Sequence, residues 1–279
     1  MAQQGSKRQH ARNEPENLAK IPTGIAGLDD ILEGGFPDGR TTLISGGPGT
    51  GKTMLGLEFL YKSALAGHAG ILLLFEERAD AIRRNVRSLG WDLGAMEKAG
   101  KLFILEARLP RDAVLSGDFN ITPLLAIIEG KAGEIGADRI MIDAIDVLMR
   151  IYNDTRREQN ELYGLHDWLV DHGFTTVLMT HQLAGNLEQV DFSGVGFSSL
   201  IDTIILLRFT EIYNKITRSL LILKSRGTKH SNSYHRFVIM DHGVEMATIP
   251  SGARLSELQG QPSTGRSPAE AAVGKGDEQ

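Results

Sequence analysis

Eight consecutive residues carry the clearest chemistry in this chain: Gly46-Gly47-Pro48-Gly49-Thr50-Gly51-Lys52-Thr53. They fit the phosphate-loop pattern G-x-x-x-x-G-K-[ST]. Glycines let the backbone curl so that successive N–H groups point at phosphate oxygens. A helix beginning near Lys52 adds its positive end. Lys52 is expected to reach the β- and γ-phosphates, and Thr53 to ligate Mg²⁺. The nucleotide is expected on Gly47, Pro48, Gly49, Thr50, Gly51, Lys52, Thr53 and Met54, which makes ATP and Mg²⁺ the implied substrate and cofactor. The flanks agree with this reading. Thr41 to Ser45 reads as a short buried strand, and Met54 to Ala66 as a helix, apolar at Leu55, Phe59, Leu60 and Leu65.

Further candidates sit at the ends of apolar runs. Ile140-Met141-Ile142-Asp143 is a strand ending in an acid, the place where P-loop proteins hold Mg²⁺ through water. Phe75-Glu76-Glu77 ends another strand, where ligands bind in open α/β sheets. Glu76 is expected to orient or deprotonate the attacking water, with Glu77 in support. Glu77 could instead favour the start of the helix near Ala79. Strand alternation would send the two carboxylates to opposite faces. Thr180-His181-Gln182 ends a fifth strand and offers either a sensor of the γ-phosphate or a structural histidine. Leu223 to His230 is a basic turn. It lies too far along the sheet for its own loop, and is either a solvated turn or an arginine finger for a neighbour's ATP.

Positioning these groups requires a sheet. Strands are expected at 41–46, 69–77, 101–107, 139–145 and 175–181, and helices at 52–66, 79–89, 120–136 and 156–172. That alternation predicts an α/β fold of βαβ units, with a mainly parallel sheet flanked by helices. Three later apolar runs, 204–209, 220–224 and 237–240, predict an antiparallel extension of the sheet edge. Residues 1–20 read as a disordered arm, 21–250 as one ATPase domain and 251–279 as a disordered tail.

The 279 residues are 41% hydrophobic and 23% charged, the balance of a soluble globular protein. The net charge of −5 gives no global attraction for nucleic acid or anionic membrane. No cysteine is present, which excludes disulfides and cysteine-based zinc sites, including those of the zinc-ribbon recombination relatives. The first twenty residues lack an apolar signal core, and no apolar run is long enough to span a bilayer, so a cytoplasmic location is expected. A nucleic-acid-dependent recombinase is the alternative reading. The segment from Leu183 to Asp202, which stands where recombinases keep a DNA-binding loop, has Glu188, Asp191 and Asp202 and no Lys or Arg. DNA affinity rests on cationic contacts, which argues against strand binding.

From Ile21 to about Pro250 the chain resembles a single RecA-type domain of the KaiC family, the ATPases of the cyanobacterial clock and their single-domain relatives. The resemblance rests on Ile21-Pro22-Thr23-Gly24, Gly27-Leu28-Asp29, Gly34-Gly35, Gly46 to Thr53, and Phe75-Glu76-Glu77. It continues through Asn85 to Trp91, Gly100-Lys101-Leu102, Ile142-Asp143, Lys224 to His230 and Asp241-His242-Gly243. It implies a homo-oligomer, a hexameric ring with ATP between protomers, and Glu76 and Glu77 as the catalytic acids. It implies nucleotide contacts from the adjacent subunit by Lys224, Ser225, Arg226, Thr228 and His230, with Lys224 and Arg226 assisting transfer. Ser88, Leu89 and Asp241 match positions near the base or phosphates. Phe197 to Leu207, with Thr210-Glu211-Ile212, resembles the family's autophosphorylating second domain. Ser198 and Ser199 fall on its phosphoacceptor positions, or else cap a strand or turn. Signalling through a protein partner is the implied output.

Overall fold

The computed structural model describes residues 18–107, 119–152, 154–181, 199–212 and 215–247. The expected arm up to residue 17, the tail beyond 250, Gln182, Ser198 and most of the 183–202 segment lie outside the described residues.

In chain order the elements are β1 (Lys20–Ile21), α1 (Leu28–Ile31), β2 (Phe36–Pro37), β3 (Thr41–Gly46), α2 (Lys52–Leu65), β4 (Ala69–Leu74), α3 (Ala79–Arg87), α4 (Leu93–Lys98) and β5 (Leu102–Glu106). There follow α5 (Thr122–Ile135), β6 (Ala137–Asp143), α6 (Asp146–Ile151), α7 (Thr155–Asp171), β7 (Thr175–Thr180), β8 (Thr203–Ile212), β9 (Lys215–Ser225), β10 (His235–Met240) and β11 (Gly243–Met246).

Nine strands form one sheet in the order β11-β10-β9-β8-β3-β7-β6-β4-β5. The six from β8 to β5 run parallel, and β8 to β11 are joined antiparallel. The expected parallel sheet with an antiparallel extension is therefore the observed fold. Strand β3 is central, paired with β7 on one side and β8 on the other, and all six of its residues are buried. The pleat sends Ile44 into the core under α2, α3 and α4, and Leu43 into the core under α5, α6 and α7. No helix among the described residues is long and apolar enough to cross a membrane.

Three departures from the expected elements matter for the site. First, β4 ends at Leu74 rather than at residue 77. One more backbone bond, from Phe75 N to Asp143 O, extends the pairing before the chain bends toward α3. Glu76 and Glu77 thus follow the strand, and the alternation that would part them does not apply. Second, β6 ends at Asp143 rather than at residue 145, and the short helix α6 follows at once. Third, β8 and β9 form a ladder from Thr203↔Ser225 to Ile212↔Lys215, longer than their apolar runs. Polar residues such as Thr210 and Ser219 continue the ladder, their hydroxyls 2.7 Å apart. Lys20, assigned to the arm by composition, pairs with Pro37.

Helix α2 carries a buried acid at its middle. Glu58 is 2% exposed and accepts from Val244 N at 2.6 Å, tying the β10–β11 turn to the helix behind the phosphate loop. Gly243, the first residue of β11, has φ 137°, and a Cβ there would lie 2.4 Å from Glu58 Oε1, so a side chain is excluded. Burial raises the Glu58 pKa above its ordinary 4.5, against the opposing pull of the Val244 bond. A carboxyl whose folded pKa is raised contributes stability that is present below about 4.5 and is lost as pH rises through the folded value. Glu58→Gln should remove that part of the pH dependence in thermal melts. Glu58→Ala should cost about 1–3 kcal/mol by leaving the buried Val244 N–H unpaired. Equal pH profiles for the wild type and Glu58→Gln would contradict this.

Candidate nucleotide site

The loop between β3 and α2 is built to hold an anion. Gly51 opens α2 at φ 104°, ψ 13°, a conformation open to glycine, and a Cβ there would press on Phe237 at 3.2 Å. No side chain caps the helix, and its first turn holds no acid. The N–H groups at the start of this 14-residue helix therefore lack the usual side-chain acceptor, and the helix dipole adds positive potential. Lys52, 6% exposed, folds over the loop and donates to Gly46 O at 2.7 Å and Gly47 O at 3.1 Å. Burial lowers its pKa, while Asp143, Asp146 and Glu76 pull it back up.

Asp143 reaches the loop as expected. Thr53 Oγ1 donates to Asp143 Oδ2 at 2.8 Å. Burial raises the Asp143 carboxyl, opposed by the Thr53 bond and the Lys52 charge. A hydroxyl and a carboxylate side by side are hard oxygen donors that suit Mg²⁺. Among the described residues no group of three or more His, Cys, Asp or Glu could cage a metal. A cation here would need phosphate oxygens and water to complete its shell, as Mg²⁺ commonly does.

A pocket lies against the loop, lined by Pro48, Gly49, Gly51, Lys52, Thr53, Met54, Glu77, His181, Arg218 and Ile239. Of the paired acids, Glu77 is in this lining. Burial raises its carboxyl, and the neighbouring Asp143 and Glu76 push the same way. At the start of α3, Ala79 N donates to Glu106 Oε1 at 2.8 Å. Glu76 stands beside the pocket and accepts from Arg150 Nη2 at 2.5 Å. His181 has Asp146 as its partner. That buried carboxylate accepts from Thr180 Oγ1 at 2.6 Å, His181 N at 2.8 Å and His181 Nδ1 at 3.0 Å.

Arg218 has no signal in the sequence analysis. It lies on β9, donates through Nε to Gly49 O at 3.1 Å and stands 5.6 Å from the Phe209 ring centroid. Only the β8–β9 register reveals it, because Arg218 pairs opposite Phe209, just past the level of the loop.

The basic turn is at the other end of β9. Ser225 pairs with Thr203, which pairs with Thr42, whereas the loop begins beyond Gly46. Four strand steps, about 13 Å, separate the two levels. Lys224 to His230 therefore face the sheet end away from this chain's own loop. Within the turn, Ser225 Oγ lies 2.6 Å from Thr228 Oγ1, and His230 Nδ1 lies 3.0 Å from Ser231 O. Burial and nearby Arg226 lower the Lys224 pKa, against Asp202. Arg226 N donates to Asp202 O at 2.9 Å, and its guanidinium donates to Ser199 O. Ser199 thus sits with the basic turn. Ser88, Leu89 and Asp241 are outside the pocket lining. Trp91 Nε1 donates to His242 O at 3.3 Å, which draws the segment after α3 toward the β10–β11 turn.

Comparison with known proteins places the chain among ATPases of one family. The model of the family described as "ATPase: KaiC" matches residues 21–251. The circadian clock oscillator protein KaiC of Synechococcus elongatus is 35% identical over 249 residues, covering 88% of this chain and 47% of that protein. The circadian clock protein KaiC2 of a Synechocystis strain is 35% identical over 237 residues, covering 84% of this chain and 41% of that protein. The chain thus spans about half the length of these relatives. The crystal structure of a KaiC-like protein from Pyrococcus horikoshii superposes with a TM-score of 0.72 at 32% identity, over 83% of this chain and all of that one.

Lys52→Ala should abolish ATP and ADP binding in calorimetry while leaving the melting temperature of the nucleotide-free protein close to wild type. Retained micromolar binding would show that the nucleotide lies elsewhere.

Proposed function

The chain belongs to the KaiC ATPase family, and from that premise we propose that it binds Mg-ATP on the loop from Gly47 to Met54 and hydrolyses it slowly between protomers of a homo-oligomeric ring. The ring is proposed to be a hexamer that works as a nucleotide-dependent signalling switch. The observation that carries the ATP reading is the uncapped, acid-free start of α2, with Lys52 over the loop and Thr53 on Asp143.

Bound phosphates replace the Gly46 and Gly47 carbonyls as partners of Lys52. The first-turn amides of α2 hold the same oxygens, and Arg218 adds a second cation from β9. Thr53 and Asp143 would hold Mg²⁺, which when bound would neutralise charge on the phosphate chain. Glu76 orients and deprotonates the water that attacks in line, and Glu77 supports it from the pocket wall. Ser88, Leu89 and Asp241 take the base side.

The inter-protomer placement is supported by charge. Asp143, Glu76 and Glu77 crowd the phosphate end, and in the same chain the pocket has Lys52 and Arg218 as its lining cations. Lys224 and Arg226 stand about 13 Å along the sheet from their own loop. A neighbouring copy that presents its basic turn to this pocket supplies the missing positive charge, as arginine fingers do. Ser225, Thr228 and His230 shape that turn.

Autophosphorylation is a second reading, favoured by one contact. The Arg226 guanidinium holds Ser199 O, so Ser199 travels with the group that faces the neighbour's γ-phosphate. Transfer would join the serine Oγ to the γ-phosphorus, release ADP, and leave the hydroxyl proton with a glutamate of the neighbouring site.

One incubation with Mg-ATP tests both readings, assayed for ADP release and for phosphopeptides. The wild type should release ADP, and Glu76→Gln should bind ATP with turnover reduced at least a hundredfold. Loss in Glu77→Gln with activity kept in Glu76→Gln would exchange the two roles. Phosphate on Ser198 or Ser199 supports the autokinase reading, and its absence from both serines removes it.

A further inference from the structure

The short helix α6 bonds to His181 of the pocket lining and to Glu76 beside it, two contacts that nothing in the sequence pairs. Asp146 and Arg150 are four residues apart, so they lie on one face of it. Asp146 is buried, and its three bonds to Thr180 and His181 fasten the start of α6 to the end of β7. Ile145 N adds a fourth bond, to Met179 O at 2.9 Å. Leu148 and Ile151 are buried in the core beneath. One turn on, Arg150 Nη2 donates to Glu76 Oε1 at 2.5 Å.

We infer that Arg150 is a positioning residue for ATP hydrolysis: it orients Glu76 from a helix that Asp146 anchors to the His181 wall of the pocket. The inference rests on Glu76 as the base. Glu76 lies past the end of β4 in a bend, and its side chain is 47% exposed. A glutamate in that setting has many rotamers, and a water-orienting carboxylate has to be held in one. The Arg150 guanidinium, with a root fixed by Asp146, selects it. Arg150 is itself 63% exposed, so the pair is screened and adds little to folding stability. Its effect belongs to turnover. The same helix links the wall that meets the nucleotide to the group that activates water, so Asp146 acts at one remove through Arg150.

Steady-state ATPase kinetics on the full chain test this. Arg150→Ala should lower kcat about two- to fivefold with KM for ATP unchanged, and Arg150→Lys should recover part of it. In a Glu76→Gln background, adding Arg150→Ala should change the residual rate no further. A further fall in that background would show that Arg150 acts elsewhere. An unchanged or raised kcat in Arg150→Ala overturns the inference while leaving Glu76 in place. If instead Glu76→Gln keeps full turnover, the base assignment fails and the inference falls with it. The two failures are thereby distinct. The melting temperature of Arg150→Ala should match wild type, which separates positioning from folding.

Discussion

The site depends on holding one buried ammonium among carboxylates. Asp143, Asp146 and Glu76 all act on Lys52, and burial works against its charge. Without phosphate, Lys52 is held by the carbonyls of its own loop. Adding a triphosphate brings further negative charge toward a pocket lined by Glu77, with Asp143 bonded to Thr53 of the lining. Lys52 and Arg218 alone balance this poorly. The proposed function meets this with a divalent cation on the Thr53–Asp143 side and with cations from a neighbouring copy.

Sheet topology decides where those outside cations come from. Because β8 runs parallel to β3 and β9 antiparallel to β8, one strand delivers Arg218 to the level of the loop and Lys224 to the opposite end. In the proposed ring, each protomer gives its loop to one site and its basic turn to the next. Repetition of the same contact around a closed ring completes every site with one interface. The matched relatives are about twice this chain's length.

Much of this was legible in the sequence because it was local. The phosphate loop, its strand and its helix lie within 26 residues, from Thr41 to Ala66, and their periods agree. Asp143 was legible as the end of an apolar run. The groups that escaped are those placed by register or by irregular backbone. Arg218 and Gly49 are 169 residues apart, and only strand pairing joins them. Arg150 and Asp146 lie on a six-residue helix too short to show a period. The bend after Leu74 that frees Glu76 from strand alternation is irregular backbone, which no propensity encodes. The Glu58–Val244 bond spans 186 residues, and in sequence it was a polar position on a helix.

The central claim is that each active site is shared between two copies, one giving the loop and glutamates and the other the basic turn. Subunit complementation tests it most directly. Glu76→Gln and Arg226→Ala proteins should each be nearly inactive alone. When they are mixed and reassembled, an Arg226→Ala subunit supplies Glu76 to a site whose Arg226 comes from the Glu76→Gln subunit. The account predicts that the mixture regains a substantial fraction of wild-type ATP hydrolysis. A mixture as inactive as its components, under conditions where mixed assemblies are seen by native mass spectrometry, would contradict it.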